Sequence, residues 1–250
     1  MGDSSTRWYN YIFSCYKSLL AANSMPVAAN DRAPRATPLR RKRSNLRQDD
    51  SARGEKSLQI LAAAAKIFNE RGYHSTSVAD VAQELGVSKP FLYYYLKNKD
   101  DILFECSRIA TEQLHTMLDD VRKAEVTGWQ RLELIFQGYA RVMTTDFGIC
   151  LIRNTAPGSL PATSREKLWV GRRRLNREVE QIIAQGIADG SMRRCDPIAL
   201  SFAIFGAFNW ITYWYRKNGP LSPDDISKRF LDIFAHGAQS DASLPAANGG

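Results

Sequence analysis

Residues 77–96, SVADVAQELGVSKPFLYYYL, constrain the fold more tightly than any other part of the chain. Ser77 is followed three residues later by Asp80, the spacing at which a hydroxyl and a carboxylate each satisfy a free backbone N–H at a helix start. Val78, Val81, Ala82 and Leu85 form a short apolar stripe that stops at Gly86. Ser88 can cap a second helix, and Pro90 is tolerated in a first turn, where its missing N–H costs no helical hydrogen bond. The stretch predicts helix, tight glycine turn, helix. In the second helix Leu92 and Leu96 are four apart and mark the inward face. Tyr93, Tyr94 and Tyr95 are consecutive, so at about 100° per residue they fan across most of the circumference. At least one must face outward. A phenol joins an apolar ring to a hydroxyl, which suits a surface that meets water or a phosphate backbone.

Upstream, EKSLQILAAAAKIFNERGY (55–73) sets Leu58, Ile60, Leu61, Ala64, Ala65, Ile67 and Phe68 largely on one side of a helix, with Gly72 as its stop. A helix-turn-helix of this kind places its second helix in a DNA major groove. Charge agrees with that reading. The chain of 250 residues carries a net +8, unevenly: residues 1–98 hold 15 Lys+Arg against 8 Asp+Glu, and residues 99–250 hold 19 against 18. A basic excess confined to one part suits a polyanionic partner, although a basic tail produces it too. Residues 26–54 are rich in Pro, Asn, Arg, Ser and Asp, include LRRKRSNLR (39–47), and lack a helical period. Residues 1–53 are expected to be a disordered basic extension that either adds phosphate contacts or only solubilises. One reading is that translation starts at Met25, which an intact mass of the native protein would test; a mass that includes residues 1–24 would exclude it.

Chemistry is sparse. Cys15, Cys106, Cys150 and Cys195 form no CxxC pair, as expected of a cytoplasmic protein with inert thiols. His74, His115 and His236 are far apart, and no phosphate-cradling glycine loop, GxSxG or nucleophile–base pattern stands out. No metal, cofactor or enzymatic activity is expected. Residues 8–20 are apolar but short and interrupted by Lys17. Residues 198–215, IALSFAIFGAFNWITYWY, are long enough to span a bilayer, but Ser201, Asn209 and Thr212 interrupt them; they predict a helix buried on most sides, and no membrane partner is expected. Further helices are expected near 99–123, 128–146, 148–156, 164–189, 196–217 and 222–238, with 239–250 frayed. Ser222-Pro223-Asp224-Asp225 starts the last one: cap, first-turn proline, acids at the positive helix end. The fold class is all-α.

Over residues 55–105 the chain closely resembles the DNA-binding domain of TetR-family transcriptional repressors. The elements that carry the resemblance are FNERGY, T-S-V-x-x-V-A, L-G-V-S-K, L-Y-Y-Y-L and K-x-K-D-D-I-L, in that order. The tail NWITYWYRKNGPLSPDDISKRFLDIFAHG (209–237) is similar to a subgroup that includes repressors of fatty-acid and steroid-ring degradation, whose ligands are acyl-CoA thioesters. The resemblance implies three N-terminal helices for DNA (54–98) and a larger helical domain (99–238) for effector binding and dimerisation. By position it implies phosphate or base contacts for Thr76, Ser77, Ser88, Lys89, Tyr93, Tyr94, Tyr95 and Lys99. Pro90 and Phe91 depart from the family's usual small or polar residues; Phe91 either meets a thymine methyl or packs on the first helix.

A repressor of this kind needs an effector pocket and a two-state element. Candidate pocket residues are Phe136, Tyr139, Met143, Trp169, Phe205, Trp210 and Trp214, with Asn209, Arg153 and Arg173 as polar members. Aromatic residues at helical spacing are equally a core. The run Arg172–Arg174 either meets an anion or forms a solvated face. The expected function is a ligand-responsive repressor that binds a palindromic operator as a homodimer and is released by an acyl-CoA or similar lipid-like effector. The alternatives are an efflux-type regulator sensing aromatic cations, for which Glu133 and Asp146 are the main carboxylates on offer, and an architectural DNA binder without effector. An α-helical enzyme with a fortuitous helix-turn-helix is the remaining class.

Overall fold

The computed structural model describes residues 44–95, 97–155 and 158–237. The expected basic arm up to residue 43, the apolar stretch 8–20, Met25, Leu96 and the tail from residue 238 lie outside these residues. Among the described residues there are nine helices and no strands: α1 (Ser44–Arg71), α2 (Val78–Glu84), α3 (Lys89–Tyr95), α4 (Lys99–Val121), α5 (Gly128–Met143), α6 (Asp146–Arg153), α7 (Ala162–Ala188), α8 (Pro197–Trp214) and α9 (Pro223–His236). The chain is all-α, as its helical periods require.

Helix α1 starts at Ser44, ahead of the onset of order expected at Gly54. Its apolar anchors begin only at Ile60, and a helix once nucleated propagates outward at one hydrogen bond per residue without needing a core. The capping logic holds at three helix starts. Ser77 and Asp80, Thr127 and Gln130, and Ser222 and Asp225 each form reciprocal caps. Gly86 closes α2 at φ +64°, a left-handed conformation that costs a glycine little. At Gly148 the backbone passes so close to Val142 that an added Cβ would lie 2.0 Å from its carbonyl oxygen; only glycine lets α5 turn directly into α6.

Two apolar clusters hold the molecule. The first joins α1, α2 and Leu92 of α3 to Ile102, Leu103 and Cys106 of α4, with Cys150, Leu160 and Leu168 from further along. The second joins Ala110, Leu114 and Leu118 of α4 to α5, Leu151 of α6, and α7 through α9. Helices α4 and α6 contribute to both. Helix α8 is apolar all round, yet no helix among the described residues is long and apolar enough to cross a membrane. One side of α8 packs through Ile204, Phe205, Phe208 and Ile211. The other carries Trp210, Tyr213 and Trp214, which stay 50%, 39% and 39% exposed.

Candidate nucleic-acid interface and effector cavity

The fan of tyrosines sorts itself around α3. Leu92 is fully buried, Tyr93 and Tyr94 are 51% and 63% exposed, and Tyr95 is half-buried against Phe91 and Tyr94 at ring-centroid distances of 5.2 and 5.1 Å. Ser88, Lys89 and Pro90 lead into the same exposed side. The Ser88 hydroxyl accepts from the Phe91 N–H at 3.3 Å and so caps α3. Phe91 is half-buried beside the first cluster, with the Lys56 ammonium 5.9 Å from its ring centre. It therefore takes the inward packing role.

Ser77 is exposed at the start of α2, where its hydroxyl accepts from Asp80 N–H at 3.2 Å. The Asp80 carboxylate accepts from Ser77 N–H at 2.6 Å, and these bonds hold its carboxyl below the ordinary carboxylate range. Thr76 and Lys99, expected at the DNA surface, are instead turned into the protein. Thr76 is buried and its hydroxyl donates to Gly72 O at 2.9 Å. The Lys99 ammonium donates to Tyr73 O and Thr76 O, each at 3.0 Å, and lies 4.3 Å from the Tyr73 ring centre. The physical reason is local. The turn after α1 leaves its carbonyls without helical partners, and a cation from the next helix over satisfies them at low desolvation cost. Asp100 accepts from the Tyr73 hydroxyl, so the first turn of α4 braces the α1–α2 turn through two side chains. Burial, and then the Asp100 carboxylate, push the Tyr73 phenol well above its ordinary pKa.

A cavity of about 410 Å³ lies between α4, α5, α6, α7 and α8. Its apolar wall includes Leu114, Leu151, Ile152, Trp169, Leu175, Phe202 and Phe205; its polar groups include His115, Tyr139, Arg172, Arg173, Asn176, Asp196 and Asn209. Of the candidate pocket residues, Tyr139, Trp169, Arg173, Phe205 and Asn209 come together here. The other five do not line it. Phe136 and Met143 share a face of α5 with the lining Tyr139, a turn to either side of it, but are fully buried in the second cluster, the Phe136 ring 5.7 Å from that of Tyr139. Arg153 is exposed, 5.6 Å from the Tyr213 ring centre. Trp210 and Trp214 stand on the outer strip of α8, Trp210 stacked on Tyr213 at 4.9 Å.

The arginine run divides, because successive residues of a helix point about 100° apart. Arg172 donates from one nitrogen to Leu151 O at 2.8 Å and Thr155 Oγ1 at 2.6 Å, closing the C-terminal end of α6. Arg173 pairs with Glu166 at 2.5 Å. Arg174 faces outward and pairs with Asp119 and Glu178. Asp196, the one lining carboxylate, is occupied as the cap of α8, accepting from Ile198 N–H and Ala199 N–H. Neither Glu133 nor Asp146 lines the cavity. Leu114, His115 and Asn176 also line it with no pattern in the sequence to mark them, whereas Arg172 is marked by its arginine run and Phe202 by its place among the large aromatic residues of this half.

Helix α6 connects this cavity to the first cluster. Asn69 on α1 donates to Asp146 O at 2.9 Å and accepts from Asn154 Nδ2 at 3.0 Å, so one side chain holds both ends of α6. Cys106 on α4 donates to Leu61 O at 3.3 Å, and burial pushes its thiol well above the usual range.

Comparison with known proteins places this architecture. Residues 60–106 match the family model for bacterial regulatory proteins of the tetR family, and residues 125–238 match a tetracyclin repressor-like C-terminal domain. The HTH-type transcriptional repressor KstR2 of Rhodococcus jostii (strain RHA1) is 24% identical over 205 residues, covering 77% of this chain and 95% of that protein. The fatty acid metabolism regulator protein of Bacillus subtilis (strain 168) is 23% identical over 184 residues, covering 73% of this chain and 95% of that protein. Among solved structures, the TetR family regulator PfmR from Thermus thermophilus is 28% identical with a TM-score of 0.67, covering 72% of this chain and 99% of that one. AibR in complex with isovaleryl coenzyme A and operator DNA has a TM-score of 0.64 at 22% identity, covering 71% of this chain and 96% of that one, a likeness of fold.

Proposed function

The chain belongs to the tetR family of bacterial regulatory proteins, and we propose that it is a transcriptional repressor that binds a palindromic operator as a dimer and leaves it when an acyl-CoA enters the cavity. Ser77, Ser88, Lys89, Tyr93 and Tyr94 are the DNA-facing groups in this reading, their hydroxyls and ammonium meeting phosphates while α3 enters the major groove. The exposed aromatic strip of α8, with Ile233 of α9 at 55% exposure, is the surface that a second copy covers.

The observation that carries the effector class is the cavity wall, which sets Arg172 and Arg173 beside an apolar chamber and offers no unoccupied carboxylate. An acyl-CoA matches both parts, with an anionic nucleotide end for the guanidinium groups and an apolar body for the chamber. The names of two relatives agree with this class, one a fatty acid metabolism regulator and one solved with isovaleryl coenzyme A. A flat aromatic cation would need an acid in the wall, and the one there already caps a helix.

Fluorescence anisotropy with labelled DNA from either side of the coding region tests the reading. Binding well above that of random DNA, reversed by CoA thioesters but not by free CoA or the free fatty acid, is the expected result. Binding that no thioester reverses would remove the effector class and keep the DNA-binding role.

A further inference from the structure

Asn209 sits on a largely apolar helix, whose Ser201 and Thr212 hydroxyls donate to the helix's own carbonyls, and lines the cavity between aromatic neighbours. Its Oδ1 accepts from the Tyr139 hydroxyl at 2.6 Å. Tyr139 is only 4% exposed and its ring packs edge-on to Phe205 at 5.3 Å, so the phenol is fixed and fixes the amide in turn. With Oδ1 occupied, the amide presents two N–H donors through Nδ2, and among the described residues nothing accepts from them. The amide is only half-buried, so the cost falls when an apolar group entering the chamber covers these donors without accepting a hydrogen bond from them.

We infer that Asn209, oriented by Tyr139, selects effectors that carry a carbonyl oxygen on the part that enters the apolar chamber. This rests on the acyl-CoA reading above and narrows it. Two sources supply that chemistry: the thioester carbonyl itself, or an oxo group further along the acyl body. A saturated chain that places neither at Asn209 strands the donor and binds less tightly.

Isothermal titration of the DNA-free full chain separates the cases. The probes are octanoyl-CoA, S-octyl-CoA (which lacks the carbonyl), and 3-oxo- and 7-oxo-octanoyl-CoA. The variants are Asn209→Leu, which removes the amide, and Asn209→Asp, which keeps the acceptor for Tyr139 and removes the donors. The expected result is that wild type prefers a carbonyl-bearing ligand over S-octyl-CoA by about tenfold and that both variants abolish the preference. If the preference lies between octanoyl-CoA and S-octyl-CoA, the thioester carbonyl is the group read. If it lies between an oxo compound and octanoyl-CoA, the group is on the acyl body. Preferences that persist unchanged in both variants, or are absent from wild type, overturn this inference alone. If none of the four probes binds wild type, the acyl-CoA reading falls and takes the inference with it.

Discussion

At the scale of single residues, identity and role part company most clearly at Lys99. A lysine at the start of a helix beside a DNA-binding unit reads as a phosphate contact. Here its ammonium is occupied by two carbonyls and a ring. Lys99→Met should cost about 2 kcal/mol of stability, because it leaves the Tyr73 and Thr76 carbonyls short of a charge-assisted partner; thermal and denaturant unfolding would measure it. Tyr93 and Tyr94 behave oppositely. Replacing both by Phe should leave the stability within about 0.5 kcal/mol of wild type while raising the operator Kd roughly tenfold. The Tyr73 phenol gives a pH signature. Its folded-state pKa lies above its unfolded value of about 10, so its contribution is complete below that pH and is lost as pH rises beyond it. Unfolding followed between pH 8 and 11 should show an alkaline loss of stability that Tyr73→Phe diminishes. The outward tyrosines were legible because periodicity fixes their direction. The inward turn of Lys99 was not, because it depends on carbonyls in a preceding turn that no local pattern reveals.

Among elements, α6 carries the most connection for its length. Its carbonyl ends and caps are bound by Asn69 from the DNA side and by Arg172 from the cavity side. On the proposed reading, an effector anion that engaged Arg172 would compete with Leu151 O and Thr155 Oγ1, and α6 would be the element whose position such competition biased. Asn69→Ala should therefore bind effector in the absence of DNA as tightly as wild type. The factor by which effector weakens operator binding, commonly about 5- to 150-fold, should shrink toward one. A thermodynamic cycle of operator and acyl-CoA titrations checks it, and an unchanged factor would exclude Asn69 from the route. Little of this was readable beforehand. The extent of each helix followed from caps, glycines and apolar period, and Ser222 through Asp225 marked the start of α9 to within a residue. Hydrogen bonds spanning 77 and 85 positions of chain, as those of Asn69 do, leave no trace in local spacing. The cavity was half legible: five of ten candidates line it, while Trp210 and Trp214 lie on the outer side of α8, Arg153 sits at α6's end, and Phe136 and Met143 share Tyr139's face of α5 but are enclosed by the second core, a distinction that periodicity does not make.

For the whole molecule the governing feature is the exposed face of α8. Trp210 and Trp214 were expected in a pocket because large aromatic residues usually seek burial; they find it on the outer strip only when another surface covers them. Trp210→Glu should shift the protein to a monomer by light scattering at micromolar concentration, losing about 2 kcal/mol or more of association energy, and should weaken operator binding because the two recognition helices no longer arrive together. A monomeric wild type would remove this surface from the mechanism. The second whole-molecule feature is that α4 and α6 lend side chains to both cores. A cut at residue 98 would strip Ile102, Leu103, Cys106 and Cys150 from the first core and open the brace at Lys99 and Asp100. The reader and the sensor are therefore poor candidates for exchange as cassettes. A chimera that rewires this sensor to another operator has to inherit the recognition helix by substitution on its surface, leaving the α4 splice intact.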